Sequence, residues 1–80
     1  MNRDFETLRA SLGDNVRCAR LEHDLSQEQL AFEAEIDRTY VSQIERGVIN
    51  PSLHVLWKIA NALSVDVVDL LRSEQQLPTA

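Results

Sequence analysis

Residues 26–47 read SQEQLAFEAEIDRTYVSQIERG, and this stretch decides the fold. It contains two short segments with helical spacing of apolar residues, and each follows a good helix-capping residue, Ser26 or Asp37. The pattern predicts helices over about residues 27–34 and 38–46, joined by roughly three residues. Two short helices with such a connection are typical of a helix-turn-helix.

The inner faces of these two helices carry small or aliphatic residues. Ala31 and Ile36 belong to the first helix and its turn, and Val41 and Ile44 belong to the second. Two helices that cross steeply need a small side chain such as Ala31 where they approach most closely. A helix about 10–12 Å wide also fits a major groove about 12 Å wide. The segment therefore favours a DNA-reading element, although many small bundles also contain two consecutive short helices.

The rest of the chain is helical in period as well. Apolar spacings of three and four predict helices over about residues 4–23, 53–63 and 67–73, with Gly13 as a weak point that could divide the first. No strand signal, internal repeat or domain boundary is present. We expect an all-α, five-helix bundle that contains a helix-turn-helix, with residues 1–80 forming a single DNA-binding domain.

Length and composition favour a small binding module. The 80 residues are 44% apolar and 26% charged, a balance that argues against disorder. A domain of this size is marginal as a monomer, so association with a second copy would help. The lone Cys18 cannot form an internal disulfide, and neither a signal peptide nor a membrane span is evident, so we expect a cytoplasmic protein. No feature supports catalysis, a metal, a cofactor or a small-molecule ligand.

The overall charge opposes DNA binding by bulk electrostatics. Eight Lys and Arg residues stand against thirteen Asp and Glu residues, which gives a net charge of −5. Phosphate binding depends on positive charge. Any contact with DNA must therefore rest on a local face of the molecule, and we expect a shallow dependence of affinity on salt.

Several motifs together resemble a known family. The stretch from Leu12 to Leu71 looks like the helix-turn-helix domain of phage repressor and Cro-type (Xre-like) regulators. The matching motifs are LSQEQLA at 25–31, VSQIERG at 41–47, NPSL at 50–53 and KIANAL at 58–63. On a short acidic chain, IDRTYVSQIERG is most similar to the controller proteins of restriction–modification systems. One departure is Glu35, which stands where the family usually has glycine between the two helices.

The resemblance implies which residues meet DNA. The second helix of the motif would be the recognition helix, and its base-contacting residues would be Arg38, Thr39, Ser42 and Gln43. Gln27 would anchor a phosphate at the start of the preceding helix. Tyr40 would either reach a phosphate or only pack, and the alternative for this whole face is an ordinary solvated helix surface. Further phosphate contacts would come from Arg46, Asn50 and Arg17.

Two other roles follow from the same resemblance. Arg20 and Glu45 would form a structural ion pair between the first helix and the end of the recognition helix. Trp57 occupies what is usually an aliphatic core position, and we expect it in the core, with a pocket or an interface as the alternative.

The C-terminal helices carry more apolar residues than a small core needs. We expect a homodimer interface built from about residues 53–73, although the same residues could instead form a core under a short loop. A two-fold dimer would space two recognition helices to match palindromic half-sites about 34 Å apart on a double-stranded operator. The predicted interface residues are Val55, Val65, Val67, Val68 and Leu71.

The sequence thus predicts a homodimeric, sequence-specific transcription regulator and not an enzyme. The subgroup resemblance implies control of a restriction–modification operon that includes its own gene. The rival hypothesis is an antitoxin or protein-interaction module of the same fold, in which DNA binding is secondary. A neighbouring restriction enzyme and methyltransferase gene pair would favour the first hypothesis, and a toxin gene would favour the second.

Overall fold

The computed structural model describes residues 3–73, and within this range it is entirely helical apart from turns and loops. The predicted all-α architecture with five helices is confirmed, and the predicted boundaries hold to within two residues. None of the helices in this range has the length and apolar character needed to cross a membrane. The helices are α1 (Phe5–Glu22), α2 (Gln27–Ala34), α3 (Arg38–Glu45), α4 (Leu53–Leu63) and α5 (Val67–Leu71).

Every helix begins at a side chain that accepts a hydrogen bond from the backbone of its first turn. Ser26 accepts from the backbone N–H of Gln29 at 3.0 Å, and the Gln29 side chain accepts in return from the Ser26 N–H at 2.7 Å. These caps satisfy donors that a helix start otherwise leaves without partners, which is why the boundaries are readable from sequence. The same role at the other four helices belongs to Asp4, Asp37, Ser52 and Asp66.

One apolar core joins all five helices. Val16 of α1, Leu30 of α2 and Val41 of α3 are fully buried, and the helix-turn-helix therefore shares its core with the rest of the domain. Helices α1 and α2 both pack against α3, so the backbone of α3 is fixed from behind. The other fully buried large side chains are Ile44, Ile59, Leu63 and Leu70.

Gly13 does not divide the first helix, which contradicts the weak point predicted there. The helix α1 is continuous through Gly13, which is buried. A Cβ atom on Gly13 would lie 2.6 Å from the carbonyl oxygen of Ile44 and 2.7 Å from that of Glu45. The missing side chain is therefore what allows the end of α3 to approach α1, and the glycine reflects close packing of two helices.

The expectation that Trp57 lies in the core is wrong. Its side chain is 53% exposed, and its indole ring stacks on His54 with ring centroids 5.9 Å apart. Leu53 on the same helix and Phe5 at the start of α1 are also exposed. The core already contains Leu56, Ile59, Ala60 and Leu63 from α4, so the helix turns Trp57 outward.

Helix α5 is shorter than predicted and is tied to α1 by polar contacts. It ends at Leu71 because Arg72 adopts an extended conformation. The Asn15 side-chain amide donates to the carbonyl oxygens of Leu70 at 2.9 Å and Arg72 at 2.7 Å, and Arg3 donates to that of Leu71 at 2.6 Å. Side chains of α1 and its N-terminal approach thus satisfy the carbonyl groups at the end of α5.

Candidate nucleic-acid interface

Helix α3 has one buried face and one polar face. Val41 and Ile44 are buried and fix the helix against the core. The residues predicted to contact bases lie at spacings of one and four along the opposite side, so they form one continuous surface. Of these, Arg38 and Thr39 are exposed, whereas Ser42 and Gln43 are half-buried.

The end of α3 is held by a buried ion pair. Arg20 Nε donates to Glu45 Oε2 at 2.6 Å, and Arg20 Nη2 donates to Glu45 Oε1 at 3.0 Å. The two side chains are only 10% and 4% exposed. A third guanidinium nitrogen, Nη1, donates to the Leu25 carbonyl oxygen at 2.8 Å in the loop before α2. One arginine of α1 therefore fixes both helices of the helix-turn-helix.

This ion pair also shifts the ionisation of Arg20. The hydrogen bond from the guanidinium to Glu45 raises the pKa of Arg20, and this effect outweighs the opposing effect of burial. The pair therefore favours the charged form of a side chain that is protonated in proteins in any case. A permanently charged, buried guanidinium needs its carboxylate partner.

Gln27 joins the same cluster, which the sequence did not suggest. Its side-chain Nε2 donates to Glu45 Oε1 at 3.1 Å. The bond holds a side-chain amide at the first turn of α2, where backbone N–H groups point out of the helix. Since a side-chain amide carries two N–H groups, Gln27 retains one donor for another partner. Residues 27 and 45 are too far apart in sequence for any local pattern to predict this contact.

The other residues predicted to contact phosphates differ in exposure and in their hydrogen bonds within the chain. Arg17 is exposed on α1, and Arg46 is exposed at the C-terminal cap of α3. Tyr40 is half-buried and packs against the core. The Asn50 side-chain oxygen accepts a hydrogen bond from Arg9 Nη1 at 3.1 Å, which leaves its amide nitrogen for other contacts. Arg9, which no motif identified, thus lies beside the loop that follows α3.

The turn between the helices has the geometry that the glycine at this place in the family provides. Glu35 is the C-terminal cap of α2 and has φ 59° and ψ 44°, in the left-handed region. The Ile36 N–H donates to the Ala31 carbonyl oxygen at 3.0 Å, which closes the end of the helix. The departure from glycine therefore leaves the turn intact, at a local conformational cost of about 1–2 kcal/mol.

The residues predicted for a dimer interface lie in α4, in α5 and in the turn between these helices, and they differ in exposure. Val68 is 60% exposed and points away from the core. The other four are partly buried and pack against the chain's own core: Val55, Val65, Val67 and Leu71. Four of the five residues therefore contribute to the chain's own core, and Val68 remains exposed.

Comparison with known proteins identifies the family to which this geometry belongs. Residues 16–70, which span all of α2, α3 and α4, match the HTH_3 helix-turn-helix family. The chain belongs to this family. The matched range includes the ion pair and the polar face of α3, and it extends into α5.

Its relatives include proteins named as controllers and transcription factors. The control protein C.BamHI of Bacillus amyloliquefaciens is 49% identical over 65 residues, which cover 80% of each chain. The hypothetical transcription factor NHTF from Neisseria has a crystal structure with a TM-score of 0.85 and 41% identity, over 95% of this chain and 87% of that one. The restriction–modification controller C.AhdI from Aeromonas hydrophila has a TM-score of 0.76 and 40% identity, over 78% and 94%. These relationships support DNA-binding regulation of transcription as the function of this HTH_3 protein.

Proposed function

We propose that this protein is a homodimeric transcription regulator that reads a specific DNA sequence with α3. The observation that carries the proposal is the continuous polar face of α3, whose backbone is fixed by the core and by the Arg20–Glu45 ion pair. Arg38 can donate two hydrogen bonds to guanine, and Gln43 can pair with adenine. The Thr39 methyl group can contact a thymine methyl, and the Ser42 hydroxyl can donate to or accept from a base edge.

Phosphate contacts on both sides of α3 would set its register in the groove. Gln27 offers a side-chain amide next to the start of α2, where helix N–H groups favour an anion. Arg46 follows α3, and Arg17 is exposed on α1. Asn50 and Tyr40 complete this set. Because the chain carries a net charge of −5, these local contacts and the pairing of two subunits replace a general positive field.

The dimer would be formed by the patch around α5. Its outermost residue, Val68, is an exposed valine on a short helix, and a two-fold contact would bury the same residue on both subunits. Such a dimer would place two α3 helices about one turn of DNA apart. Its half-sites would then form a palindrome.

The regulated genes would be a restriction–modification operon that includes the gene of this protein. The supporting observation is the 49% identity to the control protein C.BamHI over 80% of both chains. Regulation would follow from protein concentration, since dimers form and bind DNA by mass action.

Selection from a random duplex library with the purified chain at physiological salt tests the proposal. We expect enrichment of a palindrome with half-sites about one helical turn apart. A match to this palindrome upstream of the protein's own gene, beside restriction and methyltransferase genes, would identify it as a controller. Failure of the folded protein to enrich any sequence would contradict the proposal as a whole.

Arg38→Ala then separates base reading from phosphate binding. If Arg38 reads a guanine, we expect a loss of about 1–3 kcal/mol on the selected site and relaxed preference at one base position. Arg17→Ala is the matched control, since it should weaken binding to all sequences alike. Uniform loss in Arg38→Ala as well would make Arg38 a phosphate contact.

A further inference from the structure

A surface groove lies between the C-terminal end of α2 and the outer side of α4. Its volume is about 420 Å³, and its lining comes from these two helices and their C-terminal caps. None of the residues proposed above to contact DNA lines it, and its α4 residues lie within the range 53–73 but are not among the five valine and leucine residues proposed for the dimer. Its lining includes Glu33, Glu35, Trp57, Lys58, Asn61 and Ser64.

Both helices end at this groove, which makes it electrostatically negative. Glu35 caps α2 and Ser64 caps α4, and both have left-handed backbone with φ 59° and 56°. The C-terminal end of a helix carries a partial negative charge. The carboxylates of Glu33 and Glu35 add to it, and Lys58 is the single cation among the lining residues that the structure describes.

An aromatic ring lies in the same groove. The indole of Trp57 is 53% exposed, and the His54 ring stacks against it at an interplanar angle of 20°. An exposed indole beside carboxylates is suited to a planar cation, since the ring attracts positive charge through its face. A guanidinium combines planarity, weak hydration and paired donors that fit a carboxylate.

From the joint placement of indole, carboxylates and helix ends we infer that this groove docks an arginine side chain of a partner protein. The guanidinium stacks on Trp57 and donates to Glu33 or Glu35, and the Asn61 side chain offers a further acceptor. Lys58 opposes the bound cation, so the site is tuned for weak, reversible contact. None of the lining residues belongs to α3, the helix proposed to read DNA.

Trp57 provides the readout, because it is the only tryptophan of the chain. The full-length protein is titrated with a blocked pentapeptide that has a central arginine flanked by alanines, and tryptophan emission is recorded. A second peptide carries citrulline, the neutral isostere, in place of arginine. We expect a saturable emission change with the arginine peptide and about fivefold weaker binding of the citrulline peptide.

Matched variants assign the binding to the groove. Glu33→Gln with Glu35→Gln should weaken the arginine peptide about tenfold, whereas Lys58→Gln should strengthen it about threefold. Glu22→Gln with Glu28→Gln makes the same change in net charge away from the groove and should leave binding within about twofold. Far-ultraviolet circular dichroism checks that all variants remain helical.

Three results would overturn the inference. The first is no saturable change at millimolar arginine peptide, and the second is equal binding of the citrulline peptide. The third is an emission change on dilution of the protein alone that persists in a Val68→Asp variant, which would assign the groove to a second copy of the chain and not to the proposed α5 contact. Since none of these measurements uses DNA, their failure leaves the proposed function untouched.

Discussion

The two ends of this domain differ in how completely their side chains are buried and paired within one chain. At the junction of α1, α2 and α3, Arg20 and Glu45 are paired and buried, and Val16, Leu30 and Val41 are fully buried. At α5, only Leu70 is fully buried, and Val68 is exposed. The end that carries α3 therefore has its buried charges paired within the monomer, whereas the α5 end leaves Val68 exposed.

This difference corresponds to two separate requirements of a DNA-binding dimer, a rigid reading helix and a reversible contact between subunits. A recognition helix must keep its orientation to read base edges, and a buried ion pair with little exposure restricts that orientation. A dimer that responds to concentration needs the opposite, an interface that is modest and reversible. Substitutions at the two ends test these requirements separately.

The largest effect is expected from Glu45→Ala. It leaves the buried Arg20 guanidinium without its carboxylate, which should lower the free energy of unfolding by about 3–5 kcal/mol. Urea denaturation followed by circular dichroism measures the change. Glu22→Ala, an exposed glutamate at the end of α1, is the control and should change stability by less than about 0.5 kcal/mol. Similar small losses in both variants would show that the ion pair is not what holds α3.

Val68→Asp tests the other end. A carboxylate at this position should be tolerated in the monomer, because the valine is already 60% exposed. In a dimer it would place two like charges in an apolar contact and forfeit two buried valines, so we expect a loss of about 2–3 kcal/mol in dimerisation free energy. Sedimentation equilibrium measures it, with Glu28→Asp as an exposed control. An unchanged dimer would exclude the α5 patch as the interface.

Gly13→Ala returns to the first end and tests the close approach of α1 to α3. The added methyl group would meet two backbone carbonyl oxygens of α3 at 2.6 and 2.7 Å, and backbone cannot rotate away. Overpacking should outweigh the gain in helix propensity and lower the free energy of unfolding by about 2 kcal/mol.

Asp14→Ala, on the exposed side of the same helical turn, is the matched control for Gly13→Ala and should be neutral. Thermal denaturation of the two variants makes the comparison. A stabilised Gly13→Ala would mean that α1 and α3 are farther apart than the structure has them.

Features set by neighbouring residues were predictable from sequence, and those set across the fold were not. Ser26, Asp37, Ser52 and Asp66 cap helices through residues two or three positions away, so a local pattern suffices to find them. That locality is why the helix boundaries were predicted closely.

Local sequence patterns did not predict the surroundings of Gly13, Trp57 and Gln27. A glycine inside a helix has the same sequence signal whether it weakens the helix or admits another backbone, and only the position of α3 decides between them. Trp57 has the helical spacing of a core residue, yet α4 offers more apolar side chains than the core accepts. The bond from Gln27 to Glu45 joins separate helices and has no sequence signature.

The smallest effect compares one residue from each end that occupies left-handed backbone. Glu35 closes α2 before the recognition helix, and Ser64 closes α4 before α5, with φ 59° and 56°. Since the cost of this conformation is local, Glu35→Gly and Ser64→Gly should each raise the free energy of unfolding by about 0.5–1 kcal/mol. Glu33→Gly, in regular helix, should lower it by a similar amount. Urea denaturation measures these changes. Equal gains would show that left-handed backbone costs the same free energy at the two ends. A loss at either position would show that the side chain there stabilises the fold by more than its backbone conformation costs.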